Sequence, residues 1–335
     1  MKMKRAGGKR VVWLGLAVIV IVFVLFTVWD NTRIVTAEKE IELIRVAGGA
    51  EIRILHVTDL HEKTFGENQQ RLADRINRLE YDVIVFTGDM LDGLESTNTD
   101  PYFDLIDRIE NKDHALFVPG NSDPYSYVLR EDGTVEKSNF ITEMESRGVD
   151  LVESVYSLSH TDGFTYHFVY FEYAIGNVRQ SLNHLEGGRI DVGHPQYDAY
   201  LAHHESLAEE LEFLGRTGSE EVVIALNHYP VQDERMTQIR EYGHLEYREF
   251  DLILAGHYHG GQFRFPFLGA PFIPEPYFHR YGLFPPQDRI TGPWQYENTK
   301  QYASAGLGSS GPVPFLRFRL FNPPEISLLQ VNGAQ

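Results

Sequence analysis

Five short apolar runs constrain this chain more than any other feature, because each stops at a side chain able to hold a proton or a metal. The runs occupy residues 52–57 (Ile-Arg-Ile-Leu-His-Val), 83–86, 115–118, 222–226 and 252–255. Runs of four to six residues rich in Val, Ile and Leu and followed by polar or glycine residues read as buried strands. They end in turn at Asp59, Asp89, Asn121, His228 and His257. Amphipathic stretches lie between them. Residues 68–79 carry Leu72, Ile76 and Leu79 at helical spacing. Strands alternating with helices predict an α/β architecture. Sites in open α/β sheets gather at the carboxyl ends of strands, so five such endings point to one shared site.

The wording around residues 251–262, Asp-Leu-Ile-Leu-Ala-Gly-His-Tyr-His-Gly-Gly-Gln, sharpens this. In an extended chain, alternate side chains share a face, so His257 and His259 point together. Thr58-Asp59-Leu60-His61 repeats the spacing with a carboxylate and an imidazole. Paired imidazoles and carboxylates suit Mn, Fe or Zn. Gly260 and Gly261 carry no side chain to obstruct an approaching group. The chain has no cysteine, so a metal would be held by His, Asp, Glu or Asn. Asp92, three residues after Asp89, reads equally as a partner of a ligand or as a loop acid. His203 and His204 read as part of a helix surface.

Further helices are predicted at residues 100–109, opened by Asp100-Pro101, at 138–147, stopped by Gly148, and at 197–214. Residues 149–152 and 164–173 read as strands. Residues 315–321 read as a half-buried strand in which Leu316, Phe318 and Leu320 alternate with Arg317 and Arg319. Residues 325–329 then pair back as a hairpin.

The N-terminus belongs to a different medium. Lys2, Lys4, Arg5, Lys9 and Arg10 precede residues 11–29, which carry no charge. As a helix these residues would span about 28 Å, close to the thickness of a bilayer core. Trp13 and Trp29 sit near its two ends, where interfacial aromatics belong. The run is longer than a signal-peptide core, and the small residues of Val35-Thr36-Ala37 lie well past it, so an uncleaved signal anchor is expected. The basic flank (1–10) is expected in the cytoplasm and the C-terminal bulk outside it. The division expected is a transmembrane anchor at 11–29, a polar stem at 30–50 and the main domain at 51–330. The chain carries −18 and its first ten residues +5, leaving −23 for the rest. That charge repels a phosphate backbone, so no nucleic-acid substrate is expected. No protein partner can be inferred.

Asp59-x-His61, Gly88-Asp89, Gly120-Asn121, His228 and Gly256-His257-x-His259, in that order, resemble the calcineurin-like metallophosphoesterase superfamily over roughly residues 53–329. Gly-His-Tyr-His-Gly-Gly-Gln at 256–262 and Phe-Asn-Pro-Pro-Glu-Ile at 321–326 resemble its membrane-associated bacterial YkuE/YaeI-like branch. Some members of that neighbourhood act on UDP-2,3-diacylglucosamine or similar lipid-linked phosphates. The resemblance implies a two-sheet β-sandwich flanked by helices and two divalent metal ions. It assigns Asp59, His61 and His259 to one metal, Asn121, His228 and His257 to the other, and Asp89 to both. It also places Asn121 and His228 against substrate. The family's usual Gly-Asn-His-Asp/Glu block reads Gly120-Asn121-Ser122-Asp123 here. Serine is a poor general acid at neutral pH, which leaves the proton donor open, with His114 and Asp123 as candidates.

The function expected is a membrane-anchored dimetal phosphoester hydrolase, acting outside the cytoplasmic membrane on a lipid-linked or cell-envelope phosphodiester or pyrophosphate. The alternatives are a phosphoprotein phosphatase and a non-catalytic, metal-containing surface-binding module. Residues 263–286 hold eight aromatics and six prolines directly after the metal histidines. Proline denies such a segment regular structure. Its rings either pack on the second sheet or, with Phe272 and Phe278 among them, form a ledge for acyl chains or membrane.

Overall fold

The four residues Val83–Phe86 are all buried, as a strand covered on both faces must be, and the same holds for Leu252–Ala255. Each sits inside a six-stranded sheet of the computed structural model, which describes residues 5–130, 132, 134–176, 197–241, 247–274, 280–311 and 316–334. The first sheet runs in the order β1 (Val35–Ala47), β14 (Glu325–Ala334), β2 (Glu51–Val57), β3 (Val83–Phe86), β4 (Ala115–Phe117), β7 (Asp150–Leu151). The second runs β12 (Gly292–Tyr296), β13 (Thr299–Ala303), β11 (Leu252–Ala255), β10 (Glu221–Leu226), β9 (Thr165–Tyr170), β8 (Val155–Ser159). A small hairpin, β5 (Tyr127–Leu129) with β6 (Val135–Lys137), stands apart.

Alternation along β2 divides the core. Ile52 and Ile54 join Tyr166, Phe168, Ile224 and Leu252 in the layer between the sheets. Leu55 and Val57 face the other way, toward Leu72, Ile76, Leu105 and Ile141 of the covering helices. The result is the expected two-sheet sandwich with flanking helices. The central strands β2, β3 and β4 are parallel, as are β9, β10, β11 and β13. Their carboxyl ends therefore emerge on one side of each sheet, and the site loops lie there.

The N-terminal helix α1 spans Arg5–Thr32, and its stretch Arg10–Thr32 is long and apolar enough to cross a membrane. The polar stem expected at 30–50 contains a strand. Val35–Ala47 is a 13-residue edge strand, parallel to β14, with Ile41 and Leu43 buried. Its alternating charges lie on the solvent side, which made it read as polar. The strand expected at 315–321 is also corrected. Residues 312–315 lie outside the described residues, and 316–321 form an irregular segment with one bridge, Phe263 to Leu320. Arg319 is fully buried while Leu316 is exposed, against the expected alternation, although Leu320 is buried and Arg317 exposed as expected. Residues 325–329 open a strand that pairs with β1 and β2, not a hairpin. His204 is buried against Tyr173 and Tyr127, so it does not belong to a helix surface.

Candidate metal centre

Asp59, His61, Asp89, His257 and His259 all have positive φ, between 46° and 65°. Left-handed backbone at non-glycine residues costs about 1–3 kcal/mol each and persists where surrounding structure enforces it. Here the enforcement is visible. Asp59 N–H donates to Gly88 O at 3.0 Å and His61 N–H to Asp89 O at 2.9 Å, locking the β2 loop on the β3 loop. Across the sandwich, His257 N–H donates to both carboxylate oxygens of Asp59, at 3.1 and 3.0 Å. Gly256 makes that crossing possible, because a Cβ there would strike Thr58 Oγ1 and Asp59 Oδ2. Gly120 does the same for Asp89.

Two buried triads result. Donor atoms of Asp59, His61 and His259 lie within 4.8 Å of one another, and so do those of Asp89, His228 and His257. The triads adjoin: His61 Nε2 is 3.4 Å from Asp89 Oδ2, and His228 Nε2 is 3.3 Å from the same oxygen. His228 Nε2 also faces His257 Nδ1 at 3.0 Å. Its other nitrogen, Nδ1, donates to Thr87 O at 2.8 Å, which turns Nε2 inward. Asp92 Oδ1 lies 3.3 Å from His61 Nδ1 and Asp92 also pairs with Arg317, which places it against the first triad.

The donor set fits divalent cations. Among the described residues, His259 Nδ1 is buried without a hydrogen-bond partner, and neither His61 nitrogen has hydrogen-bond geometry to its neighbours. Buried polar atoms left in this way ask for a ligand. Electrostatics agree. Burial alone would raise Asp89, yet His228 and His61 hold its carboxyl well below the usual range. Burial would lower His228, yet Asp89 and Asp59 push it up to about 9. A proton on His228 balances the carboxylates that a cation would otherwise neutralise.

Asn121 follows β4 at the exposed rim of the same loops and shares a cleft with His228 and Tyr229. Ser122 is committed to Asp89: its N–H donates to Oδ1 at 2.8 Å and its hydroxyl to Oδ2 at 3.2 Å. Asp123 is a clamp. It accepts backbone N–H groups from Asp89, Met90, Leu91 and Gly120, at 2.7 to 3.1 Å. His114 precedes β4 and bonds Tyr156 OH at 2.7 Å, at the opposite end of the strand from Asn121, so it is no proton donor to this site. Phe272 is exposed, and Phe278 lies outside the described residues.

Sequence reasoning missed the support behind His259. The guanidinium of Arg319 donates to the carbonyls of Asn322, Gly308, His259 and Ala305. Asn322 Nδ2 donates to His259 O as well, at 2.7 Å. The Phe-Asn-Pro-Pro wording contained Asn322, but nothing local marks Arg319 as buried.

Residues 52–261 match the family described as Calcineurin-like phosphoesterase. The chain is 25% identical over 298 residues to the uncharacterised metallophosphoesterase YkuE of Bacillus subtilis, covering 84% of this chain and 79% of that one. It is 22% identical over 289 residues to YkoQ of the same organism, an uncharacterised metallophosphoesterase, covering 84% and 83%. Among solved structures it is similar to the phosphopantetheinyl hydrolase PptH of Mycobacterium tuberculosis, at 14% identity and a TM-score of 0.39, covering 84% of this chain and 96% of that one. With the family match spanning most of the sandwich and both triads inside it, the chain belongs to the calcineurin-like phosphoesterases and is a metal-dependent phosphoester hydrolase.

Proposed function

We propose that this protein is a single-pass, membrane-anchored dimetal phosphoesterase. Its domain lies outside the cytoplasmic membrane and hydrolyses a lipid-linked or cell-envelope phosphodiester or pyrophosphate. The observation that carries the reading is the pair of adjoining triads at the strand ends, in a chain whose N-terminal helix is of membrane-crossing length. Asp59, His61 and His259 would hold one cation, Asn121, His228 and His257 the other, with Asp89 shared between them. When bound, two such cations neutralise phosphoryl oxygens and lower the pKa of water at the site.

The chain's own residues do the rest. Thr87 O fixes the tautomer of His228, and Ser122 fixes both oxygens of Asp89. Asp123 holds the β3 and β4 loops at their spacing. The Ser122 hydroxyl is directed at Asp89, so it is poorly placed to protonate a leaving group. That favours leaving groups needing little protonation, such as a phosphate. Exposed apolar side chains support a membrane-facing domain. Phe265, Phe267, Leu268, Phe272, Tyr281, Leu283 and Phe284 all lie exposed in the proline-rich segment after His259. Their exposure favours the ledge over packing on the second sheet. The basic N-terminal flank favours the outward orientation.

The test is turnover of bis-p-nitrophenyl phosphate by the purified full chain. Activity should vanish with a chelator and return with Mn or Zn. Metal bound without turnover would replace the enzyme by a binding module. Protease added to spheroplasts should remove the domain; protection would reverse the orientation.

A further inference from the structure

A cavity of about 560 Å³ separates the last turns of α1 from the metal centre. Phe23, Val24, Thr27 and Val28 form its helix wall, and Phe318 faces them. His61, a member of the first triad, Lys63 and Arg317 also line it. Part of the lining is therefore hydrocarbon in character, and part is polar: a triad histidine, Lys63, whose amine donates to Leu307 O at 3.3 Å, and Arg317, which pairs with Asp92. That volume lies within the range of ligand pockets, about 300–1,000 Å³.

We infer that this cleft is a lipid-chain subsite, and that α1 is a wall of the substrate site as well as an anchor. The inference rests on the phosphoesterase reading. The hydrocarbon chain of a membrane-resident phosphate ester lies along the Phe23–Val28 face of α1. Its phosphate passes Lys63 and Arg317 to reach His61. The lengths agree: residues 23–32 of a helix span about 14 Å, close to one leaflet of an apolar core about 30 Å thick. A chain held there stays at the depth of its own leaflet while the headgroup meets the site. The occupant is a lipid and not a soluble protein, because the helix wall belongs to the apolar stretch Arg10–Thr32, which is long and apolar enough to cross a membrane.

The helix is also held in register, which a plain tether does not need. Asn31 exchanges two hydrogen bonds with the Arg319 backbone, at 2.6 and 2.7 Å. The Phe26 and Phe23 rings pack on Phe321, with centroids at 5.4 and 6.3 Å. Arg71 donates to Thr32 O at 2.9 Å.

The experiment compares two diesters with one leaving group, p-nitrophenyl hexadecyl phosphate and p-nitrophenyl ethyl phosphate, using the full chain in nanodiscs with Mn. In each, water adds at phosphorus, the aryl P–O bond breaks, p-nitrophenolate leaves with the electron pair, and an alkyl phosphate remains. Thr27→Trp and Val28→Trp fill the cleft. Each should lower the hexadecyl-to-ethyl ratio of kcat/KM by about tenfold. Leu25→Trp, exposed on the helix and outside the cleft wall, should leave the ratio unchanged. An unchanged ratio in both cleft variants overturns the subsite and leaves the phosphoesterase standing. No hydrolysis of either ester by the unaltered chain overturns both.

A second measurement needs neither turnover nor a folded variant. Metal-stripped, unaltered protein is irradiated with a hexadecyl phosphate bearing a diazirine on its chain. The peptide holding Phe318 should be labelled, and excess hexadecyl phosphate, but not ethyl phosphate, should suppress the label. Absence of that label overturns the subsite.

Discussion

Arg319→Met removes a buried cation that no local sequence signal identifies. Its four hydrogen bonds to Asn322, Gly308, His259 and Ala305 range from 2.6 to 3.0 Å. Burial lowers its pKa to about 10, so at neutral pH it stays charged and each carbonyl keeps its donor. Hydrogen bonds to charged groups contribute about 1.5–3 kcal/mol each, which would suggest a loss near 6–12 kcal/mol. That figure is too large, because methionine also removes the desolvation burden of the cation and fills much of its volume. Removing one side of a buried charged network costs about 3–5 kcal/mol, and that is the loss expected here. For a domain of this size it corresponds to a Tm lower by about 6–10 °C.

The damage should be directional. One of the four carbonyls belongs to His259, so the first triad should loosen before the second. Melting of the detergent-solubilised chain, with and without excess Mn, measures the stability. Elemental analysis after dialysis measures the metal. Arg319→Met is expected to retain close to one equivalent where the unaltered chain retains two. A Tm change under about 2 °C with two equivalents retained would refute the reasoning. Arg319→Lys should recover only part of the loss, because an ammonium cannot reproduce the planar fork that reaches four carbonyls.

Asp89→Asn should lower retention of both metals and turnover together, since His61 and His228 both approach one oxygen of Asp89; two retained equivalents with normal activity would remove Asp89 from its shared role. His56 is fully buried beside Thr87 Oγ1, and burial lowers its pKa to about 3. A base depressed in the fold stays neutral while the unfolded chain takes up a proton below about pH 6.5, so stability is lost as pH falls. Between pH 7 and 5 the unaltered chain should lose about 2 kcal/mol more than His56→Gln in urea melts, and parallel losses would contradict this. In the exposed ledge, Phe267→Ser with Phe284→Ser should weaken vesicle association of a chain lacking residues 1–29 by about tenfold in flotation assays, without changing its far-ultraviolet circular dichroism; unchanged flotation would leave those rings without a membrane role.

What was legible in the sequence was local. Each acidic or histidine candidate ligand lies within four residues of the strand that delivers it, and the glycines that permit close approach adjoin these candidates. An apolar run, a glycine and a ligand form a pattern readable in a dozen residues. What was illegible depended on distant partners. Val35–Ala47 reads as a charged stem until β14, nearly 300 residues later, lies against it. Only the spacing of Ile41 and Leu43, two residues apart and both buried, signalled a strand. The alternation at 316–320 misled at Arg319, because arginine is normally an outward residue and is buried only when carbonyls converge on it. His204 misled for a similar reason: a histidine pair on a helix looks solvent-facing until the aromatic rings that bury one member are placed.

The same long-range contacts make α1 and the two triads one mechanical unit. Asn31, at the end of α1, binds the backbone of Arg319 through both its amide oxygen and its amide nitrogen. The side chain of that arginine binds the backbone of His259. Two residues therefore connect α1 to a candidate metal ligand, with no flexible segment between. A tether that merely raised local concentration would work best through a slack linker, which costs little and permits many orientations. This chain instead passes from α1 directly into an edge strand of the first sheet, with Val35 N–H donating to Pro324 O at 2.8 Å. Such an attachment fixes the orientation of the centre relative to the helix axis. Fixed orientation is useful when the substrate is itself oriented by the bilayer, and the contacts from α1 to Arg319 are in that sense part of the site.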